Sequence, residues 1–175
     1  LKDSGAEAII IIENFATTLQ AVLKDMPVKH IVVASMGDML GLKGHIVNLV
    51  VRKVKKMVPA YDLPGQVKFK AALAEGRGKT LQSVAASPSD VLVQQYTRIT
   101  TGVSKSGTLT HSNIMSNIAQ HSSWLKPVFD NRGLPEDLTF ICALPLYHIF
   151  ALTVCMMMGM DLGGKNVLIP SPRDI

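Results

Sequence analysis

Short unbroken apolar runs alternate along this chain with stretches whose apolar positions recur every three to four residues. Ala8 to Ile12 is rich in isoleucine and reads as a buried strand, and His30 to Ala34 reads as a second. Between them, Asn14 is placed to cap a helix carrying Phe15, Leu19, Val22 and Leu23 on one face. A strand, a helix and a strand in that order form a crossover between parallel strands. A further helix is expected from about His45 to Val58, stopped by Pro59. Tyr61 to Pro88 is punctuated by Pro64, Gly65, Gly76 and Gly78, so it reads as connection around one short helix, Val67 to Ala74. Strand character returns from Asp90 to Thr97, a loop rich in Gly, Ser and Thr runs from Arg98 to Thr110, and Ser112 to Trp124 is helical. Asn166 to Ile169 is a last strand, and no repeat of fixed period is present. The prediction is an α/β fold of layered sheets built from parallel strand–helix–strand units, with one portion over residues 1–88 and another over 89–175.

Leu138 to Met160 holds no Asp, Glu, Lys or Arg and is long enough to cross a bilayer. Pro145 near its middle, followed by Tyr147 and His148, instead divides it into a strand, Thr139 to Ala143, a turn, and a helix, His148 to Met160. Composition fits a buried core, with 47% hydrophobic and 18% charged residues. Cys142 and Cys155 lie inside apolar runs without metal-ligand spacing, which predicts inert buried thiols and a reducing, cytoplasmic setting. Leu1 is not a start methionine and Pro172 to Ile175 ends abruptly after a strand, so an internal segment of a longer chain is expected.

Charge changes the picture at one place. The net charge is +5, yet no acid occurs between Asp38 and Asp62, where Lys43, Arg52, Lys53, Lys55 and Lys56 cluster. The basicity belongs to that element and does not describe a general nucleic-acid surface. With Ile46, Val47, Leu49, Val50, Val51, Val54, Met57 and Val58 interleaved, residues 45–58 suit either a helix on an anionic membrane surface or an ordinary helix with a core stripe and a solvated basic end.

The chemistry concentrates in Tyr96 to His111. A strand feeds a stretch dense in hydroxyls and glycine with one lysine, and a helix begins beyond it. Backbone N–H groups, hydroxyls and an ammonium arranged this way can hold a polyphosphate, and a solvated polar connection has the same composition. Gly78-Lys79-Thr80 ends like a nucleotide P-loop, but Leu73 stands where its first glycine belongs. Gly102-Val103-Ser104-Lys105-Ser106 lacks the last glycine of a nucleophile elbow, so a serine hydrolase using Ser104 is a weak third reading.

Gln95 to His111 resembles the Y-T-G-G-T-T-G-x-x-K-G-A-x-L-T-H signature of adenylate-forming enzymes, and the surrounding sequence is similar to bacterial long-chain fatty acid–CoA ligases. Leu144 to Thr153 resembles a second block of that family, and Asn14-Phe15-Ala16, Met36-Gly37-Asp38, Val58 to Tyr61, Leu162 to Gly164 and Pro172 to Ile175 extend the match. The resemblance implies the adenylate-forming N-terminal fold and a reaction in which ATP and a fatty acid give acyl-AMP and pyrophosphate, after which the coenzyme A thiol displaces AMP. It implies that Thr97, Thr100, Thr101, Gly102, Ser104 and Lys105 hold the ATP phosphates, with Mg²⁺ at Thr101. It implies that His148 borders the acyl pocket as a catalytic residue, the bland reading being a histidine satisfied at a turn. The family's later acidic and lysine motifs lie outside these residues, so the chain alone is not expected to complete the reaction. Arg98 and Ile99 replace the family's Gly-Gly, and Ser106-Gly107 replaces Gly-Ala. Side chains where glycine permits close approach predict weakened ATP binding. A noncatalytic nucleotide- or lipid-binding module is the competing class, and an oligomer is compatible with either.

Overall fold

The computed structural model describes residues 2–97, 105–133 and 135–169. The chain divides into two compact units, Leu1–Ser83 and Val84–Ile175.

The first unit is built on three parallel strands in the order β1 (Ala8–Ile12), β2 (His30–Ala34) and β3 (Val67–Lys68). Ala8 pairs with His30 and Ile12 with Ala34, while Val32 pairs with Val67. The crossover between β1 and β2 is α1 (Ala16–Val22). Its Ala16 and Leu19 bury against Ile31, Val33 and Leu63, with Ile9, Ile11, Leu23, Val28 and Tyr61 packed around them. Alternation sets this: residues two apart in a strand share a face, so Ile31 and Val33 turn to α1 together.

Four expectations change here. Asn14 does not cap α1. Glu13–Phe15 forms a 3₁₀ turn first, and the Asn14 amide donates to the Met57 carbonyl at 3.2 Å. Phe15 and Val22 are consequently exposed rather than on the core face. The basic helix is shorter than 45–58. It begins as α2 (Lys43–Leu49), widens into a π turn over Val50–Val54, and ends where Lys56 takes φ 49°. Val67 is drawn out of the expected helix by pairing with β2, so α3 spans Phe69–Gly76.

In the second unit, β4 (Val91–Thr97) and β5 (Lys105–Thr110) form an antiparallel hairpin that leads into α4 (His111–Arg132). The expected loop to Thr110 is thus largely strand, because 105–110 pair residue by residue with β4. Helix α4 also runs past Trp124 and through Pro127, and it ends where Gly133 takes φ 75°. Strand β6 (Thr139–Cys142) pairs in parallel with β7 (Lys165–Leu168). The crossover is a π stretch, Ala151–Met157, continuing into α5 (Met158–Asp161). Cys142, Ala151 and Cys155 are buried together, so the expected inert thiols are there. Burial, with the neighbouring Cys142 adding to it, pushes the Cys155 thiol up from its ordinary value.

The 47% hydrophobic composition does not translate into equivalent burial. Ile10, Leu42, Ile46, Leu81, Trp124 and Ile141 are among many large apolar side chains left exposed. No described helix is long and apolar enough to cross a membrane.

Candidate nucleotide site and a second polar cavity

The β4–β5 hairpin positions the stretch that carries the candidate chemistry. Thr97 and Lys105 are directly opposite in the register, followed by Tyr96 with Ser106 and Gln95 with Gly107. Antiparallel partners have Cα atoms roughly 5 Å apart, so the two ends of residues 98–104 are held side by side. Thr100, Thr101, Gly102 and Ser104, together with the divergent Arg98 and Ile99, lie outside the described residues. At Gly107 an added Cβ would come no closer than 4.0 Å, to the Gln95 carbonyl, so this departure from the family pattern costs little space.

Beyond the hairpin, the start of α4 is fixed twice. Thr110 Oγ1 accepts from the Asn113 amide at 3.3 Å, and Asn113 Oδ1 accepts from the Thr110 amide at 2.9 Å, a reciprocal cap that satisfies both donors. The His111 and Ser112 amides donate to Asp90 and Pro88 carbonyls at 3.0 and 2.9 Å, tying the helix start to the beginning of β4. The hairpin is therefore anchored at the end away from residues 98–104.

His148 is on another element of the same unit, the turn between β6 and the crossover helix, and it is exposed. Its amide donates to the Pro145 carbonyl at 2.8 Å, and its carbonyl accepts from the Leu152 amide at 2.9 Å. Its Nδ1 accepts from the Phe150 amide at 3.3 Å. A neutral imidazole accepting at Nδ1 carries its proton on Nε2, so Nε2 is the donor available to a ligand. An apolar cavity of about 360 Å³ lies between α4 and α5, lined by Gln120, His121, Trp124, Leu125 and Met158. Ser122 Oγ donates to the Asp161 carboxylate at 2.8 Å and ties those two helices.

Sequence reasoning missed a polar constellation in the first unit. Glu13, directly after β1, is buried with 4% of its side chain exposed, and Arg52 Nη2 lies 2.8 Å from its Oε2. Arg52 Nε donates to both Glu13 oxygens at 3.0 and 3.1 Å, and Nη2 also donates to Ser35 Oγ at 2.8 Å. The hydrogen bond to Glu13 holds the guanidinium proton still more firmly than usual. Burial raises the Tyr61 phenol, and the Glu13 charge adds to this. A glutamate directly after a run of four isoleucines was the available signal, since a carboxylate at such a position needs a partner.

Among the described residues no group of three His, Cys, Asp or Glu could hold a metal ion.

Comparison with known proteins places the chain in a family. The AMP-binding enzyme family matches residues 1–174. The long-chain-fatty-acid–CoA ligases of Escherichia coli O6:H1 and Salmonella typhimurium are each 43% identical over 176 residues, covering 100% of this chain and 31% of theirs. The chain thus spans about a third of the length of the curated relatives it matches. Among solved structures, the N-terminal domain of FACL13 from Mycobacterium tuberculosis has a TM-score of 0.51 at 18% identity, covering 89% of this chain and 35% of that one. The McyG A-PCP structure, complexed with phenylalanyl-adenylate, matches with TM-score 0.51 at 19% identity, covering 96% and 29%. These structural likenesses support the α/β fold expected from the sequence. The family match across 1–174 establishes that this chain belongs to the AMP-binding enzymes.

Proposed function

We propose that the chain is the phosphate-loop portion of a long-chain fatty acid–CoA ligase, which joins a fatty acid to coenzyme A through an acyl-adenylate made from ATP. The observation that carries this reading is the hairpin register that sets Thr97 opposite Lys105 at the two ends of 98–104. Backbone pairing of a threonine with a lysine at the two ends of a hydroxyl-rich stretch suits a polyphosphate. Thr97, Thr100, Thr101, Gly102, Ser104 and Lys105 hold the ATP phosphates, and Thr101 contributes to the Mg²⁺ site. Bound Mg²⁺ neutralises charge on the phosphate oxygens. The chain's own part is to fix the pyrophosphate in line with its attacked phosphorus, which removes orientational entropy from the step. His148, with Nδ1 occupied by the Phe150 amide, acts as an Nε2 donor that orients a carboxylate or phosphate oxygen rather than as a base. Coenzyme A and the fatty acid complete their sites with residues beyond those present here.

Equilibrium titration of ATP·Mg²⁺ into the chain and into Lys105→Ala tests the assignment. Affinity about tenfold weaker in the variant supports it, since that is the loss of roughly 1.4 kcal/mol expected from one charge-assisted contact. Equal affinity sinks it and leaves the noncatalytic module.

A peripheral membrane contact at the inner face of the membrane has one observation in its favour. Leu42, Ile46 and Leu49 are 88%, 66% and 60% exposed along α2, near Lys43, Lys53, Lys55 and Lys56. Sedimentation with anionic and with neutral vesicles separates this from a face covered by protein; no dependence on anionic lipid removes it.

A further inference from the structure

The carboxyl ends of the three parallel strands open into a cavity that the ligase reading does not use. Glu13 follows β1, Ser35 follows β2, and Lys68 closes β3 with Lys70 in the first turn of α3. All four line one cavity of about 360 Å³, together with His45 and Arg52. Ligands in open parallel sheets bind in the crevice outside the carboxyl ends of the strands, where loops from successive strands converge.

The charge balance of this cavity favours an anion. Glu13 is paired with Arg52, and Asp38 accepts from the Ser35 amide at 2.8 Å; against these two carboxylates stand Arg52, Lys68 and Lys70. Lys68 and Lys70 are exposed and have no ion-pair partner among the described residues. The amino end of α3 lacks a side-chain cap, so two cations sit where the helix dipole is already positive. An anion there would meet two lysines and the uncapped amino end of α3. Arg52, held by the buried Glu13 carboxylate, bridges the residues that follow β1 and β2 at one side of the cavity.

We propose that this cavity is a second anion site that takes a phosphate-bearing small molecule, with Lys68 and Lys70 on the phosphate. The site draws on residues of the first unit and goes beyond the ligase reading. Its existence does not depend on that reading.

Calorimetric titration with sodium pyrophosphate at low ionic strength tests the proposal on the 175-residue chain, on Lys68→Gln/Lys70→Gln and on Lys105→Ala. Both lysines are exposed, and circular dichroism of the double variant confirms that it retains the fold. The expected result is saturable binding that weakens at least about tenfold in the double variant. In Lys105→Ala a binding phase of unchanged affinity remains. Absence of saturable binding to the unaltered chain overturns the proposal. So does equal binding by the Lys68→Gln/Lys70→Gln variant, and so does loss of all binding in Lys105→Ala, which assigns every phosphate contact to the hairpin.

Discussion

Arg52 holds Glu13 through two nitrogens, Nε at 3.0 Å from Oε1 and Nη2 at 2.8 Å from Oε2, across 39 residues of sequence. The carboxylate is buried while the guanidinium keeps 46% of its side-chain exposure. Their attraction is therefore partly screened, but loss of the arginine strands a charge in the interior. Arg52→Met is expected to lower stability by about 2–3 kcal/mol, below the full buried-pair range because Arg52 is half solvated. Glu13→Gln/Arg52→Met is expected to recover part of that loss. Urea unfolding of the three proteins measures it. A neutral effect of Arg52→Met shows that the pair does not hold the π turn after α2 to the end of β1.

Close packing makes a second prediction. A Cβ at Gly44 would lie 1.8 Å from the Gly37 carbonyl oxygen, and one at Gly37 would lie 2.2 Å from that of Gly44. Both neighbours are backbone, so relief requires moving the start of α2 away from the 35–38 turn. Gly44→Ala is expected to cost about 3 kcal/mol or more, the upper end for overpacking. Gly41→Ala meets nothing within 4 Å, but its φ of 58° strains an L-residue by about 1 kcal/mol. Thermal unfolding ranks them, and equal midpoints contradict the contact.

The Cys155 thiol has its pKa raised above the ordinary 9.0 by burial. A group whose folded-state pKa is raised stabilises fully below its unfolded pKa, and that contribution is lost as pH rises through the folded value. Stability measured by urea is thus expected to fall above about pH 9, and Cys155→Ala to flatten the fall while lowering stability at neutral pH. Parallel profiles for the two proteins refute the assignment.

Much of the first sheet was legible in the sequence. Ala8 to Ile12 and His30 to Ala34 coincide with the strands because β-branched runs favour extended backbone, although the burial expected of Ala8 to Ile12 is not found: no residue of β1 is buried and Ile10 is 68% exposed. Strand β5 was not, because Lys105-Ser106-Gly107-Thr108 carries no apolar alternation and becomes a strand only through its pairing with β4. Helix α4 outran its expected end at Trp124: Pro127 sits inside the helix, where local rules place a stop, and Lys126 and Asp130 pair at 2.8 Å across it. The candidate nucleotide stretch was singled out by pattern, whereas the Glu13–Arg52 cavity was not, because it joins residues 39 apart that no short motif connects.

The central claim is that the hairpin presents 98–104 to the phosphates of ATP, with Arg98 and Ile99 impairing the fit. Its most direct test is ATP·Mg²⁺ affinity in the unaltered chain, in Arg98→Gly/Ile99→Gly, and in that variant with Lys105→Ala added. The account predicts that the two glycines tighten binding and that removing Lys105 from that background weakens it about tenfold. Equal affinity in all three proteins contradicts it.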